Sequence, residues 1–189
     1  MRHSLIAALT LALALPVGAP RLAAADEAAR LVPSADGREL IDAAAGLAWS
    51  RCVEGMKWDG RRCSGEPVLA THAQALALAR ARSEAEGRSW RMPRVTELKR
   101  FFEHLARAQE AATLAPAAPK GWYWTGTTRI ESEAVNPYSY RNVERGASQR
   151  QVDRLSVQQG WAVEQPGGAP RDMAKREQLS VRLVRPLQP

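Results

Sequence analysis

Only two cysteines occur in the 189 residues, Cys52 and Cys63, and their redox state constrains the fold more than any other feature. The N-terminus decides that state. Met1-Arg2-His3-Ser4 is a short basic start, and Leu5 to Leu15 is an apolar run interrupted only by Thr10. Pro16 and Gly18 break the run, and Ala23-Ala24-Ala25 offers a small-x-small cleavage site before Asp26. This is the layout of a secretory signal peptide over residues 1–25, with an apolar core too short for a stable transmembrane helix. A cut after Ala19 is the alternative. No later segment is apolar enough to span a bilayer, so a soluble product is expected in the periplasm or outside the cell. In that oxidising compartment an even pair of cysteines reads as one disulfide. The bridge closes a loop of ten residues and stabilises by roughly 2–3 kcal/mol in the chain-entropy model. A metal pair would need further ligands. After residue 25 only His72 and His104 remain, neither in ligand spacing with the cysteines.

The whole chain carries a net charge of +7. Losing Arg2 and Arg21 with the signal leaves about +5 over residues 26–189. A chain of this length buries one core and is expected to form one domain. We assign 26–37 to a mobile, Ala-rich N-terminal segment and 38–186 to the domain. Positive charge outside the cytoplasm suits anionic polysaccharide or lipopolysaccharide, by general attraction. No specific nucleic-acid partner is expected. Solvated arginines with no partner are the competing reading.

Local patterns assign most elements. Glu39–Asp42 and Leu47–Cys52, separated by Ala43–Gly46, read as a hairpin. Trp58-Asp59-Gly60 marks a turn in the loop between the cysteines. Thr71 with Gln74 three positions on is a capping box opening a helix over 73–86, and Gly87 stops it. The apolar side of that helix is expected at Ala75, Leu78, Ala81 and Ala85. Val95, Leu98, Phe101, Phe102 and Leu105 fall at helical spacing and read as core. Residues 111–120 read as a connecting loop. Trp122–Thr125 reads as a strand, and Val152–Val157 and Trp161–Val163 as a hairpin turning at Gln158-Gln159-Gly160. Residues 165–178 read as an exposed loop, and Ser180–Val184 as the last strand. Helices first and antiparallel strands later give an α+β class.

No nucleophile elbow, phosphate loop, dinucleotide fingerprint or zinc-binding helix motif is present. No catalytic residue, cofactor or metal is therefore expected, and the protein is read as a non-enzyme. The basic residues do cluster. Arg141, Arg145, Arg150 and Arg154 lie in one stretch, and Arg171, Lys175 and Arg176 in another. Guanidinium forks bind sulfate, phosphate or carboxylate bidentately, so the two stretches together would read an anion. Of the six tryptophans, most are expected in the core. Trp122 and Trp161 are the candidates for a sugar-stacking platform because their neighbours are polar.

Several landmarks resemble one family. They are Gly46-Leu47-Ala48-Trp49 running into Arg51-Cys52, Trp58-Asp59-Gly60, Cys63-Ser64-Gly65, Trp90-Arg91-Met92-Pro93 leading to Glu97-Leu98, Tyr123-Trp124-Thr125, and Val181-Arg182-Leu183-Val184-Arg185. In that order the chain resembles the Lcl C-terminal domain family, also called domain of unknown function 1566. The resemblance implies a C-type-lectin-like fold, with two helices, a hairpin-rich sheet and long loops. It also implies secretion and adhesion through sulfated glycans. A partner in the cell envelope, as a subunit of a pilus-like assembly, is the alternative function. Two departures stand out. Met92 and Arg94 replace the Leu and Thr usual around the proline, so the second helix lacks its capping hydroxyl, and Thr96 lies too deep to supply it. Asp153–Val157 lacks the large aromatic usual before the Gly turn. The central motif is also similar to one in formylglycine-generating enzymes, but those need a late cysteine pair, and both cysteines here are early.

Overall fold

The computed structural model describes residues 30–107, 111–134, 144 and 151–187, and the side chains of 111, 130–134 and 151–155 are not among what is described. The signal peptide expected at 1–25 lies outside these residues. The described chain is a mixed α+β structure with few helices and mainly antiparallel sheets.

One sheet has the order β1 (Leu31–Pro33), β2 (Glu39–Asp42), β3 (Leu47–Ser50), β11 (Val184–Pro186). The expected hairpin is β2–β3, in register from Glu39↔Ser50 to Asp42↔Leu47. Its turn is set locally: Asp42 Oδ1 accepts from the Ala45 amide at 2.9 Å, and Gly46 adopts φ +64°. Leu31–Pro33, inside the 26–37 segment, adds an edge strand that no sequence pattern marked. β11 pairs with β3, so the first and last strands form the two edges of one sheet. Beside it, β4 (Lys57–Trp58) and β5 (Cys63–Ser64) form a small hairpin around Asp59, which accepts from the Arg61 and Arg62 amides. The disulfide joins Cys52 to Cys63 with 5.5 Å between their Cα atoms, clamping this hairpin onto the end of β3.

The second sheet has the order β6 (Leu69–Ala70), β10 (Leu179–Ser180), β7 (Gly121–Ala134), β8 (Gln151–Gln165), β9 (Pro170–Ala174). Alternation sorts its side chains. Tyr123 and Val163 are register partners in one core, and Trp124 and Ala162 are partners in the other. Helix α2 (Val95–Arg107) contributes Leu98, Phe101, Phe102 and Leu105 to the first core, as their spacing predicts. Helix α1 (His72–Glu86) contributes Ala75 and Ala79 to the second. Its capping box at Thr71 and its left-handed stop at Gly87 are both present. The buried side differs from expectation: Ala79 replaces Ala81 and Ala85, which are exposed. A helix whose apolar residues are mostly alanines spread around it carries too little apolar contrast to define its own inner face. A short helix α3 (Ala111–Leu114) lies in the stretch read as a loop.

Three further expectations are corrected. Gln158-Gln159-Gly160 is not a turn, because β8 runs through it. A Cβ at Gly160 would meet His72 Cδ2 at 3.0 Å and Trp124 Cζ3 at 3.3 Å, so this glycine lets α1 approach the strand. Residues 165–178 are not one long loop: Gly168, at φ +68°, donates to Glu164 O at 2.7 Å and turns the chain tightly into β9. Ser180–Val184 is not one strand. It divides into β10 and β11, and the crossing segment Val181–Leu183 is buried between the sheets. Arg182 is buried there, its Nη1 donating to Ser50 O at 2.6 Å and Arg51 O at 2.7 Å.

Candidate functional site

The motif Trp90-Arg91-Met92-Pro93 is consumed by structure. Arg91 bridges to Val184 through its backbone and holds Glu97 with two hydrogen bonds of 2.8 Å. Burial alone would raise the Glu97 carboxyl. The hydrogen bonds from Arg91 and from the Arg94 amide at 2.7 Å outweigh it and hold the pKa below the ordinary value. The capping hydroxyl missing at Arg94 comes from a distant strand: Thr127 Oγ1 accepts from the Val95 amide at 2.9 Å. Trp90 lies between two guanidinium groups, with Arg82 at 4.1 Å and Arg185 at 5.8 Å from its ring, and donates to Glu86 at 2.7 Å. Arg88 and Arg185 both bind the buried carboxylate of Glu39, at 2.8 and 2.6 Å. These arginines are each held by a carboxylate and leave little for a ligand.

The residues singled out for binding are distributed differently. Arg141, Arg145 and Arg150 lie outside the described residues. Arg154 stands in β8 opposite Glu131 in register. Arg171 projects from β9, exposed, with its guanidinium carbon 5.3 Å from the Trp122 ring centroid. Lys175 and Arg176 follow β9 and, with Gln158, Gln159 and Ala174, line a cleft of about 370 Å³. Lys175 Nζ donates to Ser156 O at 2.7 Å, and Arg176 is exposed. The register runs without interruption from Trp122↔Glu164 through Trp161↔Asp172, which places Trp122 and Trp161 on opposite faces of the sheet. Each is half-buried, and they do not form one stacking platform.

Sequence patterns missed Arg129. Its Nη1 hydrogen-bonds both Gln159 Oε1 and Asp172 Oδ2, reaching from β7 across β8 to β9. Two register shifts between Trp124 and Ile130 decide where it points, and no periodicity encodes such bulges. His72, in the first turn of α1, packs edge-on against Trp124 at 5.2 Å. Burial and the neighbouring Lys175 charge lower its pKa. Among the described residues, no group of three or more His, Cys, Asp or Glu is placed to hold a metal ion, and no helix is long and apolar enough to cross a membrane.

A family model described as the Lcl C-terminal domain matches residues 38–185. The chain belongs to the Lcl C-terminal domain family. A search of curated proteins returns no match. The matched segment of this Lcl C-terminal domain begins just before β2 and ends within β11, so it includes the disulfide, both long helices and the whole five-stranded sheet. β1 adds one strand outside it.

Proposed function

We propose that this Lcl C-terminal domain is an extracellular or envelope-associated, non-catalytic binding module, exported by residues 1–25, that recognises an anionic glycan or envelope polymer. The observation that supports it is the state of the cations along β9, the edge strand of the larger sheet. Among the described residues, Arg171, Lys175 and Arg176 form no ion pair, while Arg82, Arg88, Arg91, Arg100 and Arg185 each do. Unpaired guanidinium groups at an exposed edge keep their hydrogen-bond donors for a ligand's sulfate, phosphate or carboxylate. A glycan array read at two salt concentrations tests this. Retention of acidic glycans that weakens with salt, and weakens again in an Arg171→Ser/Arg176→Ser double variant, is the expected result. Absence of binding at both salt levels removes the reading.

One observation favours the alternative, a protein-interaction subunit of an envelope assembly. Val68, Leu69, Ala77, Leu78 and Ala81 line an apolar groove between β6 and α1, and Leu69 is 53% exposed. Co-purification of one defined envelope protein, lost in Leu69→Glu, would support it.

A further inference from the structure

The cluster around Arg129 is the part of the domain that no recognised motif accounts for. Asp172 is the register partner of Trp161, and Gln159 lies two residues from Trp161 on the same face of β8. Arg129 ties Gln159 and Asp172 together, yet its side chain remains 31% exposed and that of Asp172 41%. An indole, a carboxylate, an amide and a guanidinium thus share one sheet face. The indole offers a flat apolar surface, and the three planar groups offer hydrogen-bond donors and acceptors at its margin. A ring with apolar C–H faces and hydroxyl edges matches that arrangement.

The same face leads into the cleft. Gln159 belongs to both, and Gln158, Lys175 and Arg176 complete a lining that contains two cations and two amides but no carboxylate. Such a lining accepts a negative group and repels none. The Lys175 ammonium is anchored by Ser156 O and the backbone of Lys175 by Gln158 O and the His72 amide, so the cleft is held from two elements, β8 and α1. Arg176 is exposed and free to close on an anion.

We infer that Trp161, the Arg129–Gln159–Asp172 cluster and the cleft at Arg176 form one carbohydrate subsite for an acidic oligosaccharide. A sugar ring stacks on Trp161, its hydroxyls bond Asp172 and Gln159, and an acidic substituent on the neighbouring sugar enters the cleft. This rests on the binding-module reading and makes it specific: the site lies on the Trp161 face of the sheet and not on the Trp122–Arg171 face. Sulfate and carboxylate share the required chemistry.

The test is titration of the full secreted chain with three probes, followed by tryptophan fluorescence and calorimetry. The probes are a heparin-derived oligosaccharide, an oligogalacturonate carrying carboxylates alone, and a neutral maltooligosaccharide. Binding of either acidic probe, with the neutral one far weaker, is expected, and the preferred acidic probe identifies the substituent. Trp161→Leu should weaken binding by about five- to tenfold and abolish most of the fluorescence change. Arg176→Ser should weaken it by about tenfold or more and flatten its salt dependence. Arg171→Ser, on the opposite face of the sheet, should weaken it by about twofold at most, through the loss of net charge alone. Arg176 is a surface residue, so its variant keeps the test decisive where Trp161→Leu fails to fold. Acidic binding lost in Arg171→Ser and kept in both other variants overturns this inference while the binding-module reading survives. Preference for the neutral probe also overturns it. Failure of the wild-type chain to bind any of the three removes the broader reading with it.

Discussion

Around Trp90 the guanidinium groups of Arg82, Arg88, Arg91 and Arg185 each hold a carboxylate, and two of them also stack on the indole. In β9 and just beyond it, Arg171 and Arg176 hold none among the described residues. The side chain is the same, so its surroundings set its role. Where Glu39, Glu54, Glu86 and Glu97 lie within reach, arginine becomes a joint between strands and helices. At the sheet edge Asp172 is taken by Arg129, and among the described residues Arg171 and Arg176 form no ion pair and face water. A count of basic residues therefore overstates the ligand-reading surface. The arginines around the Trp90–Pro93 motif are the ones least available to a ligand.

The comparison breaks most visibly at Glu39. Glu39→Ala strands two guanidinium groups beside a buried site, and we expect a loss of about 3 kcal/mol, measured by urea denaturation. A change under 0.5 kcal/mol would mean that the joint is ornamental. Glu97→Gln follows, at about 1–2 kcal/mol, because Arg91 loses its charged acceptor. This one carries a pH signature. The folded Glu97 carboxyl titrates below its ordinary value of 4.5, so its contribution is complete above that pH and is lost as pH falls through the folded value. The variant should therefore show a flatter acid limb than the wild type, and coincident limbs would contradict the assignment.

Thr127→Val removes the hydroxyl that caps α2 from β7 and should cost about 1 kcal/mol. Restoring a threonine at the expected cap, Arg94→Thr, should recover part of that loss in the double variant. The smallest effect belongs to the edge. Arg171→Ser and Arg176→Ser should each shift stability by less than about 0.5 kcal/mol, while Arg176→Ser lowers retention on an acidic matrix far more than Arg171→Ser does. A large thermal shift in either would place it with the framework.

Short-range signals were legible in the amino-acid sequence. The Cys52–Cys63 bridge, the β2–β3 hairpin, the Thr71–Gln74 capping box, the Gly87 stop and the apolar stripe of α2 all follow from residues within a few positions of one another, or from one covalent pair. Their physics is local: a cap, a turn or a stripe acts over one or two turns of chain. What faced what across the larger sheet was decided only in three dimensions. The bulges near Thr128 aim Arg129 across two strands, the pairing of β8 with β9 sets Trp161 beside Asp172, and the approach of His72 requires Gly160. One-residue shifts of register reverse the face of every side chain beyond them. The residues that set such shifts are dozens of positions apart, so the chain's own pattern carried no trace of them.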